Sequence, residues 1–360
     1  MSVAFAACVV LVSLSAGLLA VATWLWATRR RTSIPGPPTQ PLLGNALIFY
    51  KLPVLWDRLA GLHSRYGDIF RFYVGPKLVI VLTQPEDVKC VLLGSKPRQR
   101  EPYVADVLRT FMGDGLLSIS GGTWKRHRKN LEPAFHIEEL EKFMSKFNDA
   151  GRFLCELLEE KKGTEVELYH PLMHTALRSV VATILGIDLE RILPGRFRQA
   201  EVVDLMTDFG KTLSETGRLF TTVPCMPYLV PEDTPLPGGR HVAPQGSTVL
   251  IAYYLMHRHP DLFPEPHKFD PGRFLEGGSA TSRKAYSYIP FGIGTRKCIG
   301  NRYAVLQMKV ILATILRRYR ILPGTSRGEL EASVMSISSH PITGFRVTCI
   351  PRENVPSNSV

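Results

Sequence analysis

Residues 290–300 read Pro-Phe-Gly-Ile-Gly-Thr-Arg-Lys-Cys-Ile-Gly, and the run Asn301 to Arg318 directly after them has the spacing of a packed helix. Gly292, Gly294 and Gly300 let a backbone turn tightly and approach a ligand closely. Cys298 stands just ahead of the helix, where the dipole and the free N–H groups favour a thiolate. Ala304, Met308, Ile311, Leu312 and Ile315 recur at helical spacing and are the expected core face. A lone cysteine is ordinarily a small buried apolar residue. This one sits inside a pattern of fixed positions: Phe291, Gly292, Gly294, Arg296, Cys298 and Gly300.

That pattern, F-G-x-G-x-R-x-C-x-G, resembles the haem-binding loop of the cytochromes P450, the haem-thiolate monooxygenases. The resemblance implies that Cys298 ligates the iron of haem (heme b), where thiolate electron density favours O–O cleavage. It implies that Arg296 pairs with a haem propionate, a charge-assisted contact. Phe291, Gly292, Gly294 and Gly300 would frame the cofactor. Trp124 and Arg128 form W-x-x-x-R, one helical turn apart on one face, and in the family this pair contacts a propionate. Thr123 is the expected cap of that helix.

The stretch Gly113 to His136 resembles the fatty-acid ω-hydroxylase branch, family four. Glu215-Thr-Gly-Arg218 is an E-x-x-R pair at i,i+3, common on solvated helices. Together with Phe269-Asp-Pro-Gly-Arg273-Phe274 it resembles the family's buried triad of Glu215, Arg218 and Arg273, a positioning device beneath the haem loop. Gly217 departs from the usual aliphatic residue and weakens a helix interior by about 1 kcal/mol relative to Ala. The implied fold is mainly α with small β-sheets (α+β), the P450 fold, behind an N-terminal transmembrane helix.

The chain has 360 residues, 45% hydrophobic, enough for one large domain. Its six cysteines are scattered without a C-x-x-C pair, which excludes zinc ribbons and thioredoxin-like sites and fits a reducing compartment. The formal charge of +12 points to acidic partners or an anionic membrane surface. No nucleic-acid motif accompanies it, so nucleic acid is not an expected partner.

Residues 1–28 carry no charged side chain, and Val3 to Ala27 is apolar enough to span a bilayer. Trp24 and Trp26 suit an interface, and Arg29, Arg30 and Arg31 place the following body on the cytosolic side. The expectation is an uncleaved single-pass anchor in the endoplasmic reticulum membrane. Residues 29–49, with Pro35, Pro37, Pro38 and Pro41, read as a basic, proline-rich linker. Residues 50–351 form the haem-binding domain, and 352–360 a polar tail that frays.

Within the domain a helix is expected over 53–66, then a hairpin of Ile69–Val74 and Leu78–Leu82, and a short helix over Gln84–Leu92. Ile137–Lys161 reads as one long amphipathic helix with Leu140, Phe143, Phe147, Leu154 and Leu158 inside. Further helices are expected over Pro171–Ile187 and Ala200–Phe220, and a buried strand over Ser247–Ile251. Leu330–Ser338 and Thr343–Cys349 read as a final β-pair.

The chain passes from Gly186 to Phe197 where the family carries several helices, so on the order of a hundred residues are absent relative to it. Among them is the central helix whose acid and threonine deliver protons to bound dioxygen. No copy of A-G-x-[DE]-T occurs, and Thr207 with Asp208 reads as the helix before the triad. No catalytic acid or base can be named. The resemblance implies a monooxygenase that inserts one atom of dioxygen into an apolar substrate, a fatty acid or a xenobiotic. Electrons would come from an NADPH-dependent reductase docked near Arg126, Lys129 and Lys297. The alternative is a non-catalytic haem-binding protein that keeps only the cysteine side of the site.

Overall fold

The computed structural model describes residues 3–352 except 28–30, 51–53, 95–98, 185, 187–205, 276, 280–283, 332, 336–338 and 342. The expectations for residues 200–205 and for the tail beyond 352 lie outside the described residues. The helix α1 spans Val3–Ala27 and, by length and composition, can cross a membrane; its window Ala7–Trp24 has mean hydropathy 2.1 and none of it is buried. Arg31 lies over the Trp26 ring.

In chain order the body has α2 (Leu55–Tyr66), β1 (Ile69–Val74), β2 (Lys77–Leu82), α3 (Pro85–Leu92), β3 (Gln99–Arg100), α4 (Pro102–Met112), α5 (Gly121–Leu131), α6 (Ile137–Glu141) and α7 (Met144–Glu159). Then come β4 (Glu165–Glu167), α8 (Tyr169–Ile184), α9 (Met206–Leu219), β5 (Met226–Leu229), β6 (Thr234–Pro235), β7 (Val242–Ala243), β8 (Thr248–Ile251) and α10 (Tyr253–Met256). The C-terminal part holds α11 (Asn301–Arg318), β9 (Tyr319–Pro323), α12 (Arg327–Glu331), β10 (Ser333–Met335), β11 (Ser339–Pro341) and β12 (Arg346–Pro351). This is the mainly helical, small-sheet class expected.

The largest sheet has the order β1-β2-β8-β5-β3. Strand β2 is an interior strand, antiparallel to β1 and parallel to β8, which explains why Leu78–Leu82 is an unbroken apolar run. The proline-rich stretch runs along β1. Ile34 is buried, the Arg71 N–H donates to the Pro35 carbonyl at 2.8 Å, and a Cβ at Gly36 would collide with the Arg71 backbone.

A second core forms between α7 and α11. Leu154, Cys155 and Leu158 pack on Ile311, Ile315 and Tyr319, while Leu140 and Phe147 meet Tyr303 and Val310. The stripe that α11 turns toward α7 is therefore Tyr303, Val310, Ile311, Ala313 and Ile315. Ile311 and Ile315 are buried as expected. Ala304 and Leu312 lie on the flank, half-buried, and Met308 is exposed.

Two further expectations are corrected. The single helix over Ile137–Lys161 is broken at Lys142–Phe143 into α6 and α7. The break lets Phe143, Phe147 and Phe135 all meet the ring of Tyr303, with the Phe147 contact edge-on at 5.1 Å. The final β-pair is also different. Strand β12 sits between β4 and β9, Leu330 belongs to α12, and Ser333–Met335 pairs with Ser339–Pro341. Strand β9 continues straight out of α11, and β4 joins from far earlier in the chain, so no local pattern announces either pairing.

Gly151 brings α7 against α11, because a Cβ there would lie 2.9 Å from the Thr314 hydroxyl. Replacing Gly151 by Val wedges the helices apart and is expected to cost about 1–3 kcal/mol. Gly61, in the interior of α2 with open space around it, is expected to give up to about 1 kcal/mol of added stability as Ala. Urea denaturation midpoints of the two variants, moving in opposite directions, check both.

Candidate functional site

The loop before α11 folds back on itself. Gly292 and Gly294 have φ of 69° and 72°, the left-handed region, and Gly292 N–H donates to the Ile289 carbonyl at 3.0 Å. Cys298 N–H donates to the Phe291 carbonyl at 2.9 Å and closes the loop. A Cβ at Gly294 would stand 2.8 Å from the Leu92 carbonyl, so this glycine also lets the loop lie against the end of α3. Gly300 is different from expectation. Its φ of −87° is open to any residue, so the tight turning is done by the other two glycines and Gly300 is the residue preceding α11. Cys298 is a free, exposed thiol at the entrance to that helix.

The α5 helix holds the loop at two points. Trp124 and Arg128 are both buried on one face of it. Arg128 donates to the Lys297 carbonyl at 2.8 Å and to Glu132 at 3.1 Å. Arg296 lies over the Trp124 ring at 4.1 Å, a cation–π contact, and donates to the Ile119 carbonyl and the Ser120 hydroxyl, each at 3.1 Å. The expected cap Thr123 lies inside the helix. Ser120 occupies the cap position but makes no capping hydrogen bond, and its hydroxyl accepts from Arg296 instead.

Arg100 was missed by sequence reasoning. It sits on the short strand β3 and brings a second cation to Arg296; its Nη1 reaches the Met226 sulfur at 2.8 Å, while its Nε is buried with no acceptor. Burial, with the charge of Arg100 adding to it, pulls the Arg296 guanidinium down to about 10. Among the described residues neither arginine has an ion-pair partner. Its sequence signal was no more than an arginine outside every element expected from the sequence.

Glu215, Arg218 and Arg273 lie together as a brace beneath the loop. Glu215 and Arg218 on α9 are fully buried and make a bidentate pair, both contacts at 2.7 Å. Arg218 also donates to the carbonyls of His257 at 2.8 Å and Pro266 at 2.7 Å. Arg273, buried, lies 3.5 Å from Glu215, which also accepts the Asp270 N–H at 3.0 Å. The Arg273 Nε is near Glu215 but not aligned to donate to it; Nη2 donates to the Glu265 carbonyl at 2.9 Å. His257 extends the brace, because its Nε2 accepts the Ile289 N–H at 3.2 Å, immediately ahead of Pro290 and Phe291. Gly217 leaves room for Tyr288, whose hydroxyl would be 3.1 Å from a Cβ there and donates to the Ser214 carbonyl.

The sequence profile of the cytochrome P450 family matches residues 34–203 and 189–344. The chain belongs to that family. Cytochromes P450 are haem-thiolate enzymes, and haem is the cofactor of this one. The residues present fit it: an exposed thiol leads into a helix, and Arg296 and Arg100, which among the described residues have no ion-pair partner, suit a haem's two carboxylates. This P450 resembles family four. It is 23% identical to the probable cytochrome P450 4aa1 of Drosophila melanogaster, a match covering 86% of this chain and 88% of that protein. It is 22% identical to cytochrome P450 4V2 of Rattus norvegicus, over 81% of this chain and 84% of that one. Against cytochrome P450 4g15 of Drosophila melanogaster identity rises to 37% over 142 residues, 39% of this chain and 24% of that one. The match to 4aa1 runs over 453 aligned positions, more than the 360 residues of this chain, so gaps open on its side. In fold it is similar to the retinoic acid-bound cyanobacterial CYP120A1, with a TM-score of 0.71 and 20% identity, covering 89% of this chain and 100% of that one.

Glu215→Ala leaves two buried arginines without their carboxylate and is expected to cost about 3–5 kcal/mol. Thermal unfolding of the purified variant checks this, and haem content should fall with it.

Proposed function

We propose that this P450 inserts one atom of dioxygen into an apolar substrate, a fatty acid or a xenobiotic, with Cys298 as the residue whose thiolate would hold the haem iron. The observation that carries the reading is the exposed Cys298, held by its own N–H in a doubly left-handed loop at the start of α11. A helix N-terminus favours the thiolate form. Thiolate-ligated haem supplies the dioxygen activation when bound.

The residues of this chain bind and orient. Arg296 and Arg100 receive the propionates, Trp124 and Arg128 hold the loop that carries them, and Glu215, Arg218 and Arg273 support its leading edge. A carboxylate between two half-buried arginines restores the counter-charge they lack, a stronger contact than the same pair in open water.

The endoplasmic reticulum is the proposed location, with α1 as the single span and the arginines after it facing the cytosol. Arg126, Lys129 and Lys297 are exposed around the cysteine side of the site, a basic surface suited to an acidic NADPH-dependent reductase. Substrate class rests on the family-four resemblance.

A second reading has its own support. The gaps in the match to 4aa1 support the reading that this sequence lacks the family's central helix. Without it the oxygen side of the haem is open to water, which favours reduced-oxygen leakage over product. In that case the protein binds haem without turning substrate over.

The carbon monoxide difference spectrum of the reduced, membrane-expressed protein tests the first claim. A strongly red-shifted Soret band, absent in Cys298→Ala, is expected; a band indifferent to Cys298 rejects it. Arg296→Leu and Arg100→Leu are expected to retain less haem after gel filtration than the parent. Assays with reductase and lauric acid then separate the two readings. Hydroxylated product supports the monooxygenase, and NADPH consumption without product supports the other.

A further inference from the structure

Away from the haem region, three side chains from distant parts of the chain converge. His63, in the last turn of α2, and His259, just after α10, both point Nε2 at one oxygen of Asp68, each at 2.9 Å. The Gln84 amide lies 3.0 Å from the other Asp68 oxygen and 3.1 Å from His259 Nε2. The imidazole rings meet edge-on with centroids 5.5 Å apart. One ligand atom from each of His63, Asp68 and His259 lies within 4.8 Å of the others. His259 is buried while the other two are half-buried, so the cluster is built into the fold yet open on one side.

We propose that His63, Asp68 and His259 bind a divalent transition metal of the zinc class, stapling the turn between α2 and β1 to the segment that leads into the brace. Two imidazole nitrogens and one carboxylate oxygen are the donor set of zinc and its neighbours, and leave a position open for water. Calcium and magnesium require oxygen-rich sets and do not suit it. Gln84 adds a fourth ligand when its amide turns over, since its oxygen and nitrogen exchange places.

A metal on Nε2 puts the remaining imidazole proton of His259 on Nδ1. That atom now accepts the Asp261 N–H at 3.2 Å, and the Asp261 carboxylate, 4.0 Å away, is positioned to take over as acceptor. Carboxylates in that role orient metal-bound imidazoles. Asp68 supplies the one carboxylate of the set, with a single oxygen already facing both imidazoles.

The location gives the site a consequence. His257, two residues before His259, receives Arg218 on its carbonyl and the Ile289 N–H on its ring. A metal at His259 therefore anchors the chain next to the link between brace and haem loop. Binding to the folded state alone also raises stability by mass action.

Titration of the detergent-solubilised full chain with Zn2+ in a calorimeter, and with Co2+ as a visible probe, tests the proposal. Parent, His259→Ala, His63→Gln and Cys298→Ser are compared, with far-UV circular dichroism on each. The half-exposed His63→Gln keeps a hydrogen-bonding group toward Asp68 and serves if His259→Ala fails to fold. The expected result is one equivalent bound by the parent, with a Co2+ spectrum of nitrogen and oxygen ligands. Binding should weaken at least about a hundredfold in either histidine variant and be unchanged in Cys298→Ser. No binding by folded parent, binding that survives both histidine changes, or binding that follows Cys298 would overturn it.

Discussion

A carboxylate enclosed by two arginines organises the C-terminal half of this protein. Glu215 and Arg218 have no exposed surface, and Arg273 joins them from a turn more than fifty residues later. Burying such charges is costly, so the arrangement holds only if nearly every donor is satisfied. Arg218 achieves this by donating to carbonyls at 257, 266 and 268, which ties an irregular segment to one helix. That segment then passes a hydrogen bond, His257 to Ile289, and a ring contact, His257 to Tyr288, to the loop that presents Cys298. The placement of the thiol is thus inherited from charge satisfaction some distance away.

The opposite electrostatic condition holds on the other side of the loop. Among the described residues Arg296 and Arg100 stand together without a carboxylate partner, and burial depresses the basicity of Arg296. A folded chain ordinarily avoids that arrangement. It is reasonable here because the family's cofactor carries two anionic arms. The Trp124 face and the Ser120 hydroxyl keep Arg296 in place meanwhile. One arginine cluster is therefore satisfied by the protein and supports it, and the other is the one proposed above to meet a ligand.

Much of the site was legible because its motifs are local. The loop 290–300, the Trp124–Arg128 turn and the Glu215–Arg218 turn each declare themselves within a few residues, since their chemistry needs fixed spacing on one backbone turn. Arg100 was not legible, because its neighbours in space, Met226 and Arg296, are far away in sequence. The Ser120 hydroxyl was missed for a related reason: Thr123 has the better local claim to a helix cap, and only the approach of Arg296 gives Ser120 its task. The break at Lys142–Phe143 follows the same rule, for an amphipathic pattern alone would have continued the helix, and the Tyr303 ring that the broken chain meets is far away in sequence.

The sequence by itself determined the family, the haem cysteine candidate, the class of fold and most helices, because six loop positions and the apolar periodicities are one-dimensional signals. Only the tertiary structure decided which strands pair at the C-terminus, which face of α11 is buried, where the unpaired arginines gather and that His63, Asp68 and His259 meet. Most of those outcomes depend on contacts between residues distant in the sequence. Packing and charge compensation choose among them, and neither leaves a local pattern to read.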